Sequence, residues 1–202
     1  MKKIRLSEQF TVGDLLNNAV SDITAKYLFD REHGTGSNVI KLFAVQIRND
    51  KLYIHYRSYP TYVDNEDFRI TSNGQSVRTE WYDTLFQFDK AAENLGTFEE
   101  FQQFNTAEKA ATVSEFLSKG MCRVWCNCPA FYNQGHWEAM DKIDSTIFTF
   151  PGPNGTGEWE ARHAPGLTTP GITICKHIAA CIPKMNKRDI SSITAEITKI
   201  SY

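Results

Sequence analysis

The chain has 202 residues, 41% of them hydrophobic and 23% charged, and a net charge of −2. That length suits one sizeable core, or one core with a smaller appended module. No apolar run approaches the ~20 residues that cross a bilayer, and a net negative charge gives no global drive toward nucleic acid.

The start, MKKIRLSEQF, has two lysines but no apolar stretch behind them, so a secretory signal is not expected and an intracellular protein is. Residues 11–29 read as an amphipathic helix. Thr11 and Asp14 make a capping-box-like start, and Leu15, Leu16, Ala19, Val20, Ile23 and Tyr27 follow helical spacing. HGTGS at 33–37 reads as a loop. Two β-branched and aromatic runs then flank Asn49-Asp50, which predicts an antiparallel hairpin. His55, inside the second run, is expected to be packed or solvated rather than a ligand. Asn73-Gly74 marks another turn, and WYDTLFQF at 81–88 another strand.

Residues 97–119 predict two helical pieces, the second running from Thr106 to Lys119 and stopping at Gly120. MCRVWC at 121–126 predicts a short strand. PGPNGTG (151–157) and HAPGLTTPG (163–171) read as exposed loops. A short apolar helix is expected from near Ile174, and a last helix carries Ile190, Ile193, Ile197 and Ile200 on one side. These elements define an α+β protein: residues 1–119 as an N-terminal helix and antiparallel β-sheet domain, residues 120–202 as a second module. Residues 1–118 carry 13 Lys/Arg against 17 Asp/Glu and residues 119–202 carry 9 against 7, so the second part is only mildly basic.

Chemistry concentrates in that second part. Five cysteines (122, 126, 128, 175 and 181) cannot all pair with one another, and in a reducing compartment clustered Cys with a nearby His points to metal. Cys126 and Cys128 stand two apart, as do Cys175 and His177. Residues two apart share a strand face, so C-x-C at a strand end can aim two sulfurs at one point. Pro129 ends strand pairing directly afterwards. Cys175 can sit at the first turn of a helix, where unpaired N–H groups favour a thiolate, and His177 can supply a fourth ligand. Three thiolates and an imidazole suit tetrahedral Zn²⁺, with Lys176 and Arg123 partly offsetting the charge. Such a site has no open position and is structural. Cys122, four residues before Cys126, and Cys181, four after His177, remain alternatives to members of this quartet.

C-x-C-P followed by C-K-H resembles the SWIM zinc finger over roughly residues 121–182. The resemblance implies a SWIM-like zinc module holding Zn²⁺ through Cys126, Cys128, Cys175 and His177, with an insertion at 130–174 and a role in DNA binding or protein–protein contact. VWCNCPAFY with PG and CKHIAA beyond is also similar to small uncharacterised proteins of tailed bacteriophages, which implies a virion component or a protein of the host cytoplasm.

Catalytic patterns are weaker. His136-Trp137-Glu138 has the H-x-E half of a zinc deaminase without the P-C-x-x-C half, and a Cys122/His163 pair has no local signature. Trp125, Phe131, Tyr132, Trp137 and Trp159 could stack on bases but better suit a small core around a metal. The expectation is therefore a non-enzymatic structural or interaction protein with protein partners, such as the components of a large assembly, and with no membrane; a DNA-binding accessory factor is the alternative. Only Lys184, Lys187 and Arg188 cluster as a phosphate-binding group, and a solvated helix end explains them as well.

Overall fold

In the computed structural model, residues 10–12, 40–58, 68–70, 76–78, 81–128, 131, 146–147 and 174–200 are described. Their centre is a five-stranded antiparallel sheet in the order β1-β7-β6-β3-β2. Its strands are β1 (Phe10–Thr11), β2 (Ile40–Arg48), β3 (Lys51–Ser58), β6 (Tyr82–Asp89) and β7 (Met121–Cys126). A separate pair, β4 (Phe68–Ile70) and β5 (Ser76–Arg78), lies in the segment between β3 and β6. The helices are α1 (Ala91–Leu95), α2 (Phe98–Gln103), α3 (Thr106–Lys119), α4 (Lys176–Pro183) and α5 (Ile190–Thr198), with a π-helical turn at Lys184–Arg188 joining the last two. The fold is α+β. Among the described residues no helix is long and apolar enough to cross a membrane.

The β2–β3 hairpin forms where Asn49-Asp50 predicts it. Both residues have positive φ, 50° and 59°, as a two-residue turn between twisted strands requires. Asp50 then does a second job. Its carbonyl accepts from Ala91 N (3.0 Å) and its Oδ1 from Ala92 N (2.7 Å), so the hairpin tip caps α1 in place of that helix's own N-cap residue, Lys90. Capping boxes Thr97/Glu100 and Asn105/Glu108 open α2 and α3, which explains why 97–119 divides into two pieces.

Gly120 closes α3 as expected, but not through a left-handed conformation: its φ is −67°. Space is the reason. A Cβ there would lie 2.5 Å from Phe116 O and 2.9 Å from two carbons of the Phe116 ring.

Alternation along the strands sorts the sheet into two faces. Leu52, Ile54 and Tyr56 of β3 and Phe86 and Phe88 of β6 point inward and are buried. Val113, Phe116 and Leu117 of α3, Ile178 and Ile182 of α4, and Ile193 and Ile197 of α5 complete the same core, with Phe88 edge-on to Phe116 at 5.7 Å. β7, although it follows α3 in the chain, is hydrogen-bonded beside β6, with Val124 opposite Phe86 and Cys126 opposite Thr84.

The helix read over 11–29 opens at Val12, directly after Thr11, which itself pairs with Met121 in β1; residues 13–29 lie outside the described residues. Two details differ from the sequence reading. The helix expected from Ile174 begins at Lys176, with Cys175 as its N-cap. Neither strand nor helix periodicity signals the π-helical turn that precedes α5. The loops expected at 33–37, 151–157 and 163–171, and the turn at Asn73-Gly74, also lie outside the described residues.

Candidate metal centre

Cys126 is the last residue of β7, on the sheet's inward face, and Cys128 follows in a turn whose Cys128 carbonyl accepts from Phe131 N (3.1 Å). On the other side Cys175 caps α4 and His177 lies in its first turn. α4 packs against β6 and β7, and that packing closes the 46-residue gap between the two pairs. The Sγ atoms of Cys126, Cys128 and Cys175 and a ring nitrogen of His177 all lie within 4.8 Å of one another, and all four residues are buried. His177 Nδ1 is 3.9 Å from Cys126 Sγ. Tetrahedral bonds of about 2.3 Å to sulfur and 2.0–2.1 Å to nitrogen imply an S···N separation of about 3.6 Å, close to that of the Cys126–His177 pair. These four residues could hold a metal ion.

The surroundings hold the donors in place. Thr84 Oγ1 donates to Cys126 Sγ (3.6 Å) and Phe131 N to Cys128 Sγ (3.4 Å). The Tyr82 ring lies 4.8 Å from the His177 ring. Burial pushes the Cys126 and Cys128 thiols up. Burial also opposes ionisation of Cys175, but hydrogen bonds from Cys126, Cys128 and His177 outweigh it and bring that thiol well down. Three buried thiols this close cannot all ionise against one another; a bound cation supplies the charge that would let them.

Cys122 and Cys181 are buried outside this cluster, Cys122 opposite Phe88 in the sheet and Cys181 among the inward residues of α4. No disulfide joins any of the five cysteines. Two expected details differ. Cys175 makes no side-chain capping hydrogen bond, and Arg123 does not offset the cluster's charge; it reaches Asp89 (3.4 Å) on the sheet's other face. Trp125 and Phe131 are buried, while Tyr132, Trp137 and Trp159, and the residues of the weaker catalytic patterns, His136, Glu138 and His163, lie outside the described residues.

Sequence reasoning missed the residue between the two cysteines. Asn127, 3% exposed, donates from its backbone N to Asp83 O (3.1 Å) and from Nδ2 to Asp83 Oδ2 (3.1 Å), while its Oδ1 accepts from Asp83 N (2.8 Å). Asp83 in turn accepts from His55 Nε2 (2.8 Å) and Arg57 Nε (3.3 Å). No local pattern announces this link, because its partners stand 44 and 28 residues apart.

Comparison of the chain with protein-family models, with curated proteins and with solved structures finds no significant match. The site therefore defines the protein by class alone: an α+β chain with a buried Cys₃His cluster between the end of a strand, β7, and a helix start.

Proposed function

We propose that this is a non-enzymatic, zinc-stapled interaction protein. The observation that carries the reading is the closure of the cluster: Cys126, Cys128 and Cys175 are at most 1% exposed and His177 8%, and a tetrahedral ion held by all four has no position left for substrate. Zinc, bound there, contributes coordination energy to folding and no chemistry. It joins β7 to α4 across a long intervening segment, where a cross-link restricts the unfolded chain most.

The C-x-C and C-x-H spacings support a SWIM-like module, and modules of that kind serve protein contact or DNA binding. Protein contact is the preferred reading, because Arg188, one of three clustered basic residues available for phosphate, is engaged by the Asp189 carboxylate (2.9 Å) and the Ile40 carbonyl (3.1 Å). Membership of a large assembly, a phage-like virion among them, rests on the resemblance of VWCNCPAFY and CKHIAA alone.

Metal analysis of the purified chain tests the staple: one zinc per chain is expected, with a large fall in melting temperature on adding chelator. Sub-stoichiometric metal together with a melt indifferent to chelator overturns it. Mass spectrometry of purified particles tests the assembly.

A further inference from the structure

The outward face of the sheet carries a second constellation, away from the metal cluster. Register places Lys41 and Arg48 of β2, Lys51 and Arg57 of β3, and Arg123 of β7 on this face, against the carboxylates Asp83 and Asp89 of β6. Among the described residues the face is thus net positive, in a chain whose net charge is −2. Both carboxylates are engaged within the face, Asp83 by His55 and Arg57, Asp89 by Lys51 (3.5 Å) and Arg123 (3.4 Å).

Aromatic rings are interleaved with these cations. Phe43 is 52% exposed, a large ring left in water. It is nonetheless fixed in position: the Arg57 guanidinium lies 3.4 Å from its centroid, and His55 meets it edge-on at 4.8 Å. The same guanidinium also lies over the Trp81 ring, 4.5 Å from its centroid. Beside this stack is a cavity of about 260 Å³ lined by Ala44, Gln46, Arg48, Tyr53, His55 and Leu85. Its lining combines apolar (Ala44, Leu85), aromatic (Tyr53), amide (Gln46) and guanidinium (Arg48) groups, which suit a planar heterocycle next to an anion, and it is smaller than a drug-sized pocket of about 300–1,000 Å³.

We propose that this face binds single-stranded nucleic acid, with bases stacking on Phe43 and Tyr53 and phosphates meeting Arg48 and Lys41. A ring held in place beside exposed cations, as Phe43 is, is what sequence-tolerant single-strand binding uses, and a duplex keeps its base faces out of reach of such a ring. The inference goes beyond the metal staple and does not depend on it.

The test is fluorescence anisotropy of the full chain with a labelled oligothymidylate of about ten nucleotides. Binding at about 50 mM salt is expected, weakening with a log–log slope of about −1.4 for two phosphates. Phe43→Ala lowers affinity about tenfold, whereas Phe43→Trp, which keeps a ring, retains it. Arg48→Ala weakens binding and flattens the slope by about 0.7. Lys187→Ala, on the π-helical turn, changes nothing. Absence of binding at low salt overturns the proposal. So do a duplex bound as tightly, full displacement by polyglutamate, or an effect of Lys187→Ala in place of Phe43→Ala. Loss of binding in both Phe43→Ala and Phe43→Trp also overturns it, because stacking then has no part.

Discussion

Asn127 and Asp83 are joined by three hydrogen bonds, two of them through the Asn127 side chain, so the residue between two candidate metal ligands also grips the outer face of the neighbouring strand. Asp83 passes the constraint to His55 and Arg57, and Arg57 to the Phe43 ring. The candidate metal centre and the outward sheet face are therefore two ends of one polar link through β6.

Asn127→Ala removes two of those bonds and leaves the Asp83 N–H without its acceptor. A loss of about 2 kcal/mol is expected in urea denaturation. The Cys126–Cys128 turn also loses its anchor, so zinc affinity should fall about 10–100-fold, as outer-shell changes commonly cause. Competition with a chromophoric chelator measures it.

Replacing a ligand should act differently from replacing a cysteine outside the cluster. Cys126→Ser should abolish stoichiometric metal and the intense visible bands of tetrahedral Co²⁺, and lower the melting temperature of the zinc-loaded protein. Cys122→Ser and Cys181→Ser should keep both the metal and the Co²⁺ spectrum, while costing some stability through the buried hydroxyl. Metal content and absorption spectra of the three variants separate the two classes.

Gly120→Ala tests a steric claim. The backbone there has φ −67°, which any residue adopts, so conformational preference predicts little change. The 2.5 Å approach to Phe116 O predicts otherwise: α3 or the start of β7 must shift, costing about 1–3 kcal/mol. Thermal melting of the variant decides between these.

Acid should act through Asp83. Burial raises its pKa, but the hydrogen bond and charge of His55, then those of Arg57, outweigh burial and leave the carboxyl below its ordinary value. A carboxyl depressed in the folded state adds stability above its unfolded pKa of about 3.9, and that stability is lost as pH falls through the folded value. His55→Ala removes the largest opposing partner, so the variant should show a shallower loss of stability than the wild type below about pH 4. Urea midpoints between neutral pH and acid for both proteins, compared as a difference, test this; equal slopes would sink it.

What could be read from the chain was local. Asn49-Asp50 is a turn because two adjacent residues there tolerate positive φ, and the helices at 98–103 and 106–119 follow from capping residues three positions from their acids. The C-x-C and C-x-H pairs were legible for the same reason, since each sets two donors a fixed short distance apart on one element. Local spacing did not show that Thr11, read as the start of a helix, also pairs in the edge strand β1 with Met121, 110 positions away.

The sequence by itself thus determined the C-x-C and C-x-H pairs of candidate donors, the hairpin, the helix caps and the α+β class, all governed by contacts within about four residues. Only the tertiary structure decided that β7 inserts beside β6, that α4 brings Cys175 and His177 to Cys126 and Cys128, that Asp50 caps a helix outside its own hairpin, and that Asn127 holds Asp83. Those relations depend on strand register and on packing across long loops. Their stability resides in buried area and paired polar groups shared between distant segments, which spacing along the chain does not encode.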